Sequence, residues 1–147
     1  MAEFDARIVV GVDPRTVFDY LADFTNAEQW DPSVRAAKAL GEGDPTVGSG
    51  FAVTTGFYGK AIELICEITE LDSPRHLALS IDGGRTTGTI TFTIEPDTGT
   101  GSIVHYRVET AMRGPARLLD RGLQLALSGM GESAAQGLEK SLSVPAA

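Results

Sequence analysis

The sequence is poor in the residues that disulfide and metal chemistry need. Its 147 residues include one cysteine, Cys66, and two histidines, His76 and His105. A single cysteine excludes an internal disulfide and fits a reducing compartment. No spacing of Cys, His, Asp and Glu suits a metal ion. We therefore expect no metal and no cofactor, and a cytoplasmic location.

Basic residues and long apolar runs are scarce as well. The sequence contains 12 Lys and Arg but 20 Asp and Glu, which gives a net charge of −8. Because proteins bind phosphate backbones through clustered Lys and Arg, this balance excludes nucleic acid as a partner. No apolar run approaches the roughly 18 residues of a membrane-spanning helix, so we expect no stable membrane insertion. With 42% hydrophobic residues, the composition indicates one globular domain over residues 1–147.

Alternation of apolar and polar residues predicts seven strands. The first covers residues 3–10, and the second, at 33–40, is the least clear. A period of two returns from Phe51 and gives five more strands, within 51–57, 61–69, 77–81, 89–95 and 104–108. Short turns join the later strands, so we expect antiparallel pairing with one covered face and one face in water.

Three helices are predicted around these strands. Asp13-Pro14 supplies an N-cap and a first-turn proline, and a capping box at 25–28 opens a second short helix that ends near Trp30. An apolar stripe over 115–142 predicts a helix roughly 40 Å long, enough to cross the sheet. The predicted fold is therefore α+β: strand, two short helices, six strands and a long C-terminal helix.

Five local strings, in the same order, resemble a known superfamily. They lie at 17–23, 28–34, 47–50, 67–75 and 137–142. Together with the element order, they resemble the START/polyketide-cyclase-like (SRPBCC) superfamily, and its bacterial polyketide cyclase/dehydratase-type branch. The resemblance covers nearly the whole chain. It implies the helix-grip fold, in which a curved seven-stranded antiparallel sheet wraps around the long C-terminal helix.

The resemblance also sets the functional expectation. Members of the superfamily include lipid and sterol carriers, polyketide cyclases and dehydratases, and plant hormone-binding proteins. We expect the chain to bind a hydrophobic or amphipathic small molecule (lipid, fatty acid, sterol or polyketide) in an internal cavity. A polyketide cyclase/dehydratase-type enzyme that uses the same cavity is the alternative, and a protein-binding adaptor is a third class. A homodimer stays open.

Strand phase and helix stripe predict which residues line such a cavity. Tyr106 is the one candidate for acid/base chemistry, because its hydroxyl on the inner face needs a partner. A core tyrosine bonded to backbone is the other interpretation, just as Trp30 is either a structural plug or a wall. The predicted ligand-binding residues are Phe18, Trp30, Phe51, Val53, Leu64, Phe92, Tyr106, Leu119, Leu123 and Met130.

The same phase argument places other residues away from the cavity. His76 and His105 fall on the outer face, so we expect no histidine catalysis. The threonines at 89, 91 and 93 are expected to be largely exposed, between buried Ile90, Phe92 and Ile94. Cys66 is interpreted as a small buried hydrophobe.

Glycine-rich segments leave two questions open. The segment 41–50 lacks the Gly-Lys-Ser/Thr ending of a phosphate loop, and it is either a flap over the cavity or a plain loop. The last helix carries four glycines, each of which costs roughly 1 kcal/mol relative to alanine. They indicate close packing on the sheet, room for a ligand, or a bend near 129–131.

Overall fold

The structure confirms the predicted α+β architecture. It is a computed structural model, in which residues 2–57, 59–112 and 120–143 are described, without the side chains of residues 57, 120–123, 126 and 143. The strands are β1 (Ala2–Val10), β2 (Val34–Ala39), β3 (Gly50–Phe57), β4 (Lys60–Asp72), β5 (His76–Asp82), β6 (Thr86–Pro96) and β7 (Ser102–Met112). They form one antiparallel sheet in the order β1-β7-β6-β5-β4-β3-β2.

The helices follow the predicted order. Helix α1 (Pro14–Ala22) and helix α2 (Ala27–Trp30) lie between β1 and β2, and α3 (Asp120–Ser143) follows β7. Asp13 caps α1 as predicted, since its carboxylate accepts a hydrogen bond from the backbone N–H of Thr16. The capping box predicted at 25–28 does not form. Instead, a 3₁₀ turn at Phe24–Asn26 precedes α2, and Asp23 caps that turn.

The register of β6 and β7 fixes the inner face of the sheet. Phe92 lies opposite Tyr106, and Ile90 lies opposite Val108. All four side chains are buried, as the alternation predicted. On the outer face Thr89 is exposed, but Thr91 and Thr93 are half-buried rather than exposed, because Arg107 and His105 lie opposite them.

Helix α3 packs closely on its neighbours through two glycines. A Cβ at Gly131 would meet the ring of Phe4, and a Cβ at Gly137 would meet the backbone carbonyl of Trp30. Gly129, in contrast, is exposed and has open space around it. Close packing therefore explains Gly131 and Gly137, whereas a larger residue at 129 would point into solvent instead of filling the interior.

One side chain of α3 also binds the backbone of the edge strand. The amide of Gln124 accepts a hydrogen bond from the backbone N–H of Glu3, at 3.0 Å, and donates one to the carbonyl of Glu3, at 2.9 Å. Strand β1 is thus joined to β7 along one side and to the helix at this point on the other.

Candidate ligand-binding cavity

A cavity lies between the inner face of the sheet and α3. It has a volume of about 120 Å³, and a second lobe of about the same volume adjoins it. The two lobes share Thr55, Leu64, Ile81, Thr110, Leu127 and Met130 as lining residues. An apolar cavity of about 150 Å³ accommodates benzene, so each lobe has room for about one small ring.

The walls are mostly apolar, and strands from both halves of the sheet supply them. Val53 of β3, Cys66 of β4, Ile90 of β6 and Val108 of β7 face the first lobe. The second lobe extends toward Ile62, Thr86 and Met112. Apolar walls with a few fixed polar groups are typical of sites for small organic ligands.

One of the polar groups is the carboxylate of Asp31, which follows α2 directly. Pro32 disfavours a helical backbone at Asp31, and the residue adopts an extended conformation there. Its Oδ1 accepts hydrogen bonds from the backbone N–H of Ser33, at 2.9 Å, and from the Ser33 hydroxyl, at 2.7 Å. This turn fixes Asp31 at the cavity wall, where burial raises the pKa of the carboxyl group above its usual range.

Tyr106 presents a second polar group to the first lobe. The residue is 4% exposed, and its hydroxyl makes no hydrogen bond with any residue in the described part of the chain. Burial, together with the charge of Asp31, raises the pKa of Tyr106 above its usual value near 10. The phenol therefore keeps its proton and can donate a hydrogen bond into the cavity.

Two buried threonines in the wall differ in their hydrogen bonding. Thr55 is 9% exposed, and its hydroxyl donates to the carbonyl of Ser33 at 3.1 Å. Thr110 is 8% exposed and lines both lobes, but its hydroxyl has no partner within the described ranges. Because a buried hydroxyl without a partner is costly, Thr110 is a candidate contact for a polar group inside the cavity.

The structure describes eight of the ten predicted ligand-binding side chains and divides these eight into two groups. Val53, Leu64, Tyr106 and Met130 line the cavity. Four others are buried but are not among the described lining residues: Phe18, Trp30, Phe51 and Phe92. Leu119 lies outside the described residues, and so does the side chain of Leu123.

Two of these buried aromatic side chains, Trp30 and Phe92, pack against the ring of Tyr106. The rings of Phe92 and Tyr106 stack with centroids 5.2 Å apart, and Trp30 meets each of them edge-on at 5.9 Å. Trp30 thus contacts Tyr106 directly without being among the described residues that line the cavity. A change at Tyr106 should be felt by Trp30, the one tryptophan of the chain.

Sequence analysis missed Asp31 and Thr110. Alternation assigns a facing direction only to residues within strands, and Asp31 follows a helix instead. The sequence pattern does indicate Thr110, because this residue continues the inward phase of Tyr106 and Val108 along β7. An inward threonine in an apolar run was the observation that could have identified it.

The remaining sequence-based candidates lie elsewhere. Both histidines are on the outer face as predicted, with His76 2.9 Å from Glu70 and His105 2.6 Å from Glu95. Cys66 is 1% exposed, which confirms its interpretation as a buried side chain.

The loop between β2 and β3 contributes no residue to the described lining of the cavity. It borders a separate polar cleft together with Asp23 and Thr25. The interpretation of residues 41–50 as a flap over the cavity therefore has no support among the described lining residues.

The described residues lack both a metal-binding cluster and a membrane-spanning helix. They contain no group of three or more His, Cys, Asp and Glu side chains placed to hold a metal ion. In the same ranges, no helix combines the length and the apolar character that crossing a membrane requires.

Comparison with known proteins identifies relatives of this fold. A family model described as polyketide cyclase / dehydrase and lipid transport matches residues 1–143. No curated protein sequence matches the chain.

Several solved structures share the whole architecture. A protein from Thermus thermophilus superposes with a TM-score of 0.79 at 17% identity, covering 95% of this chain and 96% of that one. A START superfamily protein from Mycobacterium smegmatis gives 0.80 at 14% identity, covering 97% of each chain. A major latex-like protein from Panax ginseng gives 0.69 at 12% identity, covering 98% of each. At such low identities the likeness shows the fold alone.

Proposed function

Because this chain belongs to the polyketide cyclase/dehydrase and lipid transport family, we propose that it binds a hydrophobic or amphipathic small molecule in the cavity beneath α3. The ligand is of the lipid, fatty acid, sterol or polyketide kind. The observation that carries the proposal is the two-lobed cavity, whose walls are mostly apolar but include Asp31, Tyr106 and Thr110. A solid core would have no such space, and a water channel would have more polar walls.

The first test is to look for a ligand that the protein retains. Native mass spectrometry of the purified protein, followed by solvent extraction, should show an adduct of lipid or polyketide mass. For protein free of adducts, the neutral fluorophore N-phenyl-1-naphthylamine supplies the probe. Its emission should rise on binding, and emission from Trp30, which contacts Tyr106, should change.

A matched pair of variants locates the site. Val108→Phe places a ring in the first lobe, whereas Val9→Phe makes the same change on an exposed position of β1. Val108→Phe should weaken probe binding by about ten-fold or more, and Val9→Phe should leave it unchanged. Equal binding by wild type and both variants, or no binding at all by folded wild-type protein, would contradict the proposal.

An enzyme of the cyclase/dehydratase type is the second candidate, and one observation favours it. The Asp31 carboxylate and the Tyr106 hydroxyl face the same cavity. A buried carboxylate with a raised pKa is a better general base, and a tyrosine that keeps its proton can stabilise a developing oxyanion by donating a hydrogen bond to it. Turnover of a supplied polyketone that Asp31→Asn abolishes, without loss of folding, would support the enzyme over the carrier.

A further inference from the structure

The cavity has an electrostatic bias that limits what it can hold. Asp31 contributes a carboxylate, but no Lys, Arg or His occurs among the described residues that line either lobe. A ligand carboxylate placed inside would therefore meet a like charge, with no compensating cation among these described lining residues. In an apolar site of this kind such a pair is strongly unfavourable.

The hydrogen-bonding groups of the cavity also restrict which functional group a ligand can present to them. An ionised Asp31 only accepts hydrogen bonds, and Ser33 occupies its Oδ1. The Tyr106 hydroxyl can both donate and accept, and it has no partner among the described side chains and backbone. A ligand hydroxyl can donate to Asp31 and accept from Tyr106, whereas a ketone can only accept.

Thr110 gives independent support for a polar ligand atom. Its hydroxyl is more than nine-tenths buried, faces both lobes and lacks a partner within residues 2–57, 59–112 and 120–143. It lies four residues beyond Tyr106 on the same face of β7, roughly 13 Å along the strand. The polar groups thus stand at separate points of an otherwise apolar wall.

From this arrangement, and resting on the proposed function, we infer that the cavity selects neutral hydroxylated ligands with a compact apolar body and excludes carboxylates. Asp31 and Tyr106 hold the hydroxyl group, and the two lobes hold the apolar part. Each lobe has room for about one ring, so a fused pair of rings is a suitable size. Among the proposed ligand classes, phenolic polyketides and small ring alcohols fit, and free fatty acids do not.

Isothermal titration with four compounds of one shape tests this selection. The probes are 2-naphthol, naphthalene, 2-naphthoate and 2-naphthylmethylamine, measured near neutral pH. We expect 2-naphthol to bind about ten-fold or more tightly than 2-naphthoate, and several-fold more tightly than naphthalene. The amine should bind more weakly than the alcohol, because its attraction to Asp31 does not offset the loss of hydration of an ammonium group among mostly apolar walls.

Two variants and two matched controls test whether Asp31 and Tyr106 cause the preference for neutral hydroxylated ligands. Asp31→Asn should raise the affinity for 2-naphthoate, and Tyr106→Phe should lower the affinity for 2-naphthol about two- to ten-fold, toward that of naphthalene. Asp23→Asn is the control for Asp31, since Asp23 forms the same kind of turn with Thr25 but borders the separate polar cleft. Tyr20→Phe is the control for Tyr106, because the Tyr20 hydroxyl donates to Gln29 at 3.1 Å and lines neither lobe.

The outcomes separate the inference from the proposed function. If 2-naphthoate or the amine binds as tightly as 2-naphthol, the selection is wrong while ligand binding stands. If none of the four compounds binds, both fail. Circular dichroism checks that each variant is folded, and the comparison of the four compounds on wild-type protein does not depend on any variant.

Discussion

The buried hydroxyl of Thr110 should lower the free energy of unfolding, and a single substitution measures by how much. Thr110→Val replaces that hydroxyl with a methyl group of similar shape, and the backbone preference for β-structure is kept. Because the hydroxyl is buried and has no partner in the described part of the chain, the variant should be more stable. A buried hydroxyl without a partner costs about 1–3 kcal/mol, so we expect the free energy of unfolding to rise by about 1–2 kcal/mol.

Thr55→Val is the matched control for this experiment. Thr55 is buried to almost the same extent, 9% against 8%, and also lines the cavity. Its hydroxyl donates to the Ser33 carbonyl at 3.1 Å, and the change should therefore cost about 0.5–1.5 kcal/mol. The two valine variants should move stability in opposite directions although burial is equal.

Urea unfolding followed by circular dichroism measures both effects, and thermal melts should show shifts of about 2–4 °C per kcal/mol for a chain of this length. A Thr110→Val protein that is less stable than wild type would refute the reasoning. Its hydroxyl would then be bonded in solution, by an ordered water or by a ligand that stays with the protein. In that case extraction and native mass spectrometry should distinguish the two.

Three further predictions concern packing and protonation. Gly137→Ala should destabilise the protein, because the added Cβ would meet the Trp30 carbonyl. Gly129→Ala has open space and should stabilise it by about 0.5–1 kcal/mol in thermal melts. Equal effects of the two variants would contradict the packing of α3. Phe92→Ala removes a fully buried ring stacked on its neighbour and should cost about 3–5 kcal/mol in urea unfolding, and a loss below about 1 kcal/mol would argue against this core. Burial raises the pKa of the Cys66 thiol to about 12, above its ordinary value near 8.5, so the native state keeps a proton that the unfolded state loses. The free energy of unfolding should therefore fall more steeply between about pH 9 and pH 11 in wild type than in Cys66→Ala, by up to about 1.4 kcal/mol per pH unit. Parallel curves would contradict the assignment.

The sequence was sufficient for the fold because the fold depends on periodic patterns. Alternation in β6 and β7 predicts that Phe92 and Tyr106 share the inner face, and the register places them opposite each other. The order of strands and helices follows from turn residues and caps that act locally. The capping box was wrong because Thr25 lies inside a 3₁₀ turn that Asp23 caps, and its hydroxyl donates to Asp23.

The cavity could be predicted only in part, because hydrophobicity indicates burial and not what a buried side chain touches. Phe51 and Val53 share the phase of one strand, yet Val53 lines the cavity and Phe51 packs against Phe24. The inward position of Asp31 depends on the path of the chain after Pro32, which no periodicity describes. Tertiary packing determines which buried side chains reach the cavity, and therefore which functional groups line it.

The contact between Gln124 and Glu3 has a consequence for how the protein behaves at high concentration. A strand at the border of a sheet carries free N–H and C=O groups that can recruit a strand from another molecule. At Glu3 the side-chain amide of Gln124 already bonds both backbone groups, so that they are not available to another strand. At the opposite border, β2 is short, contains a register shift between Val34 and Ala36, and carries Arg35 and Lys38. Both borders thus carry features that oppose the addition of a further strand, at Glu3 in β1 and along β2.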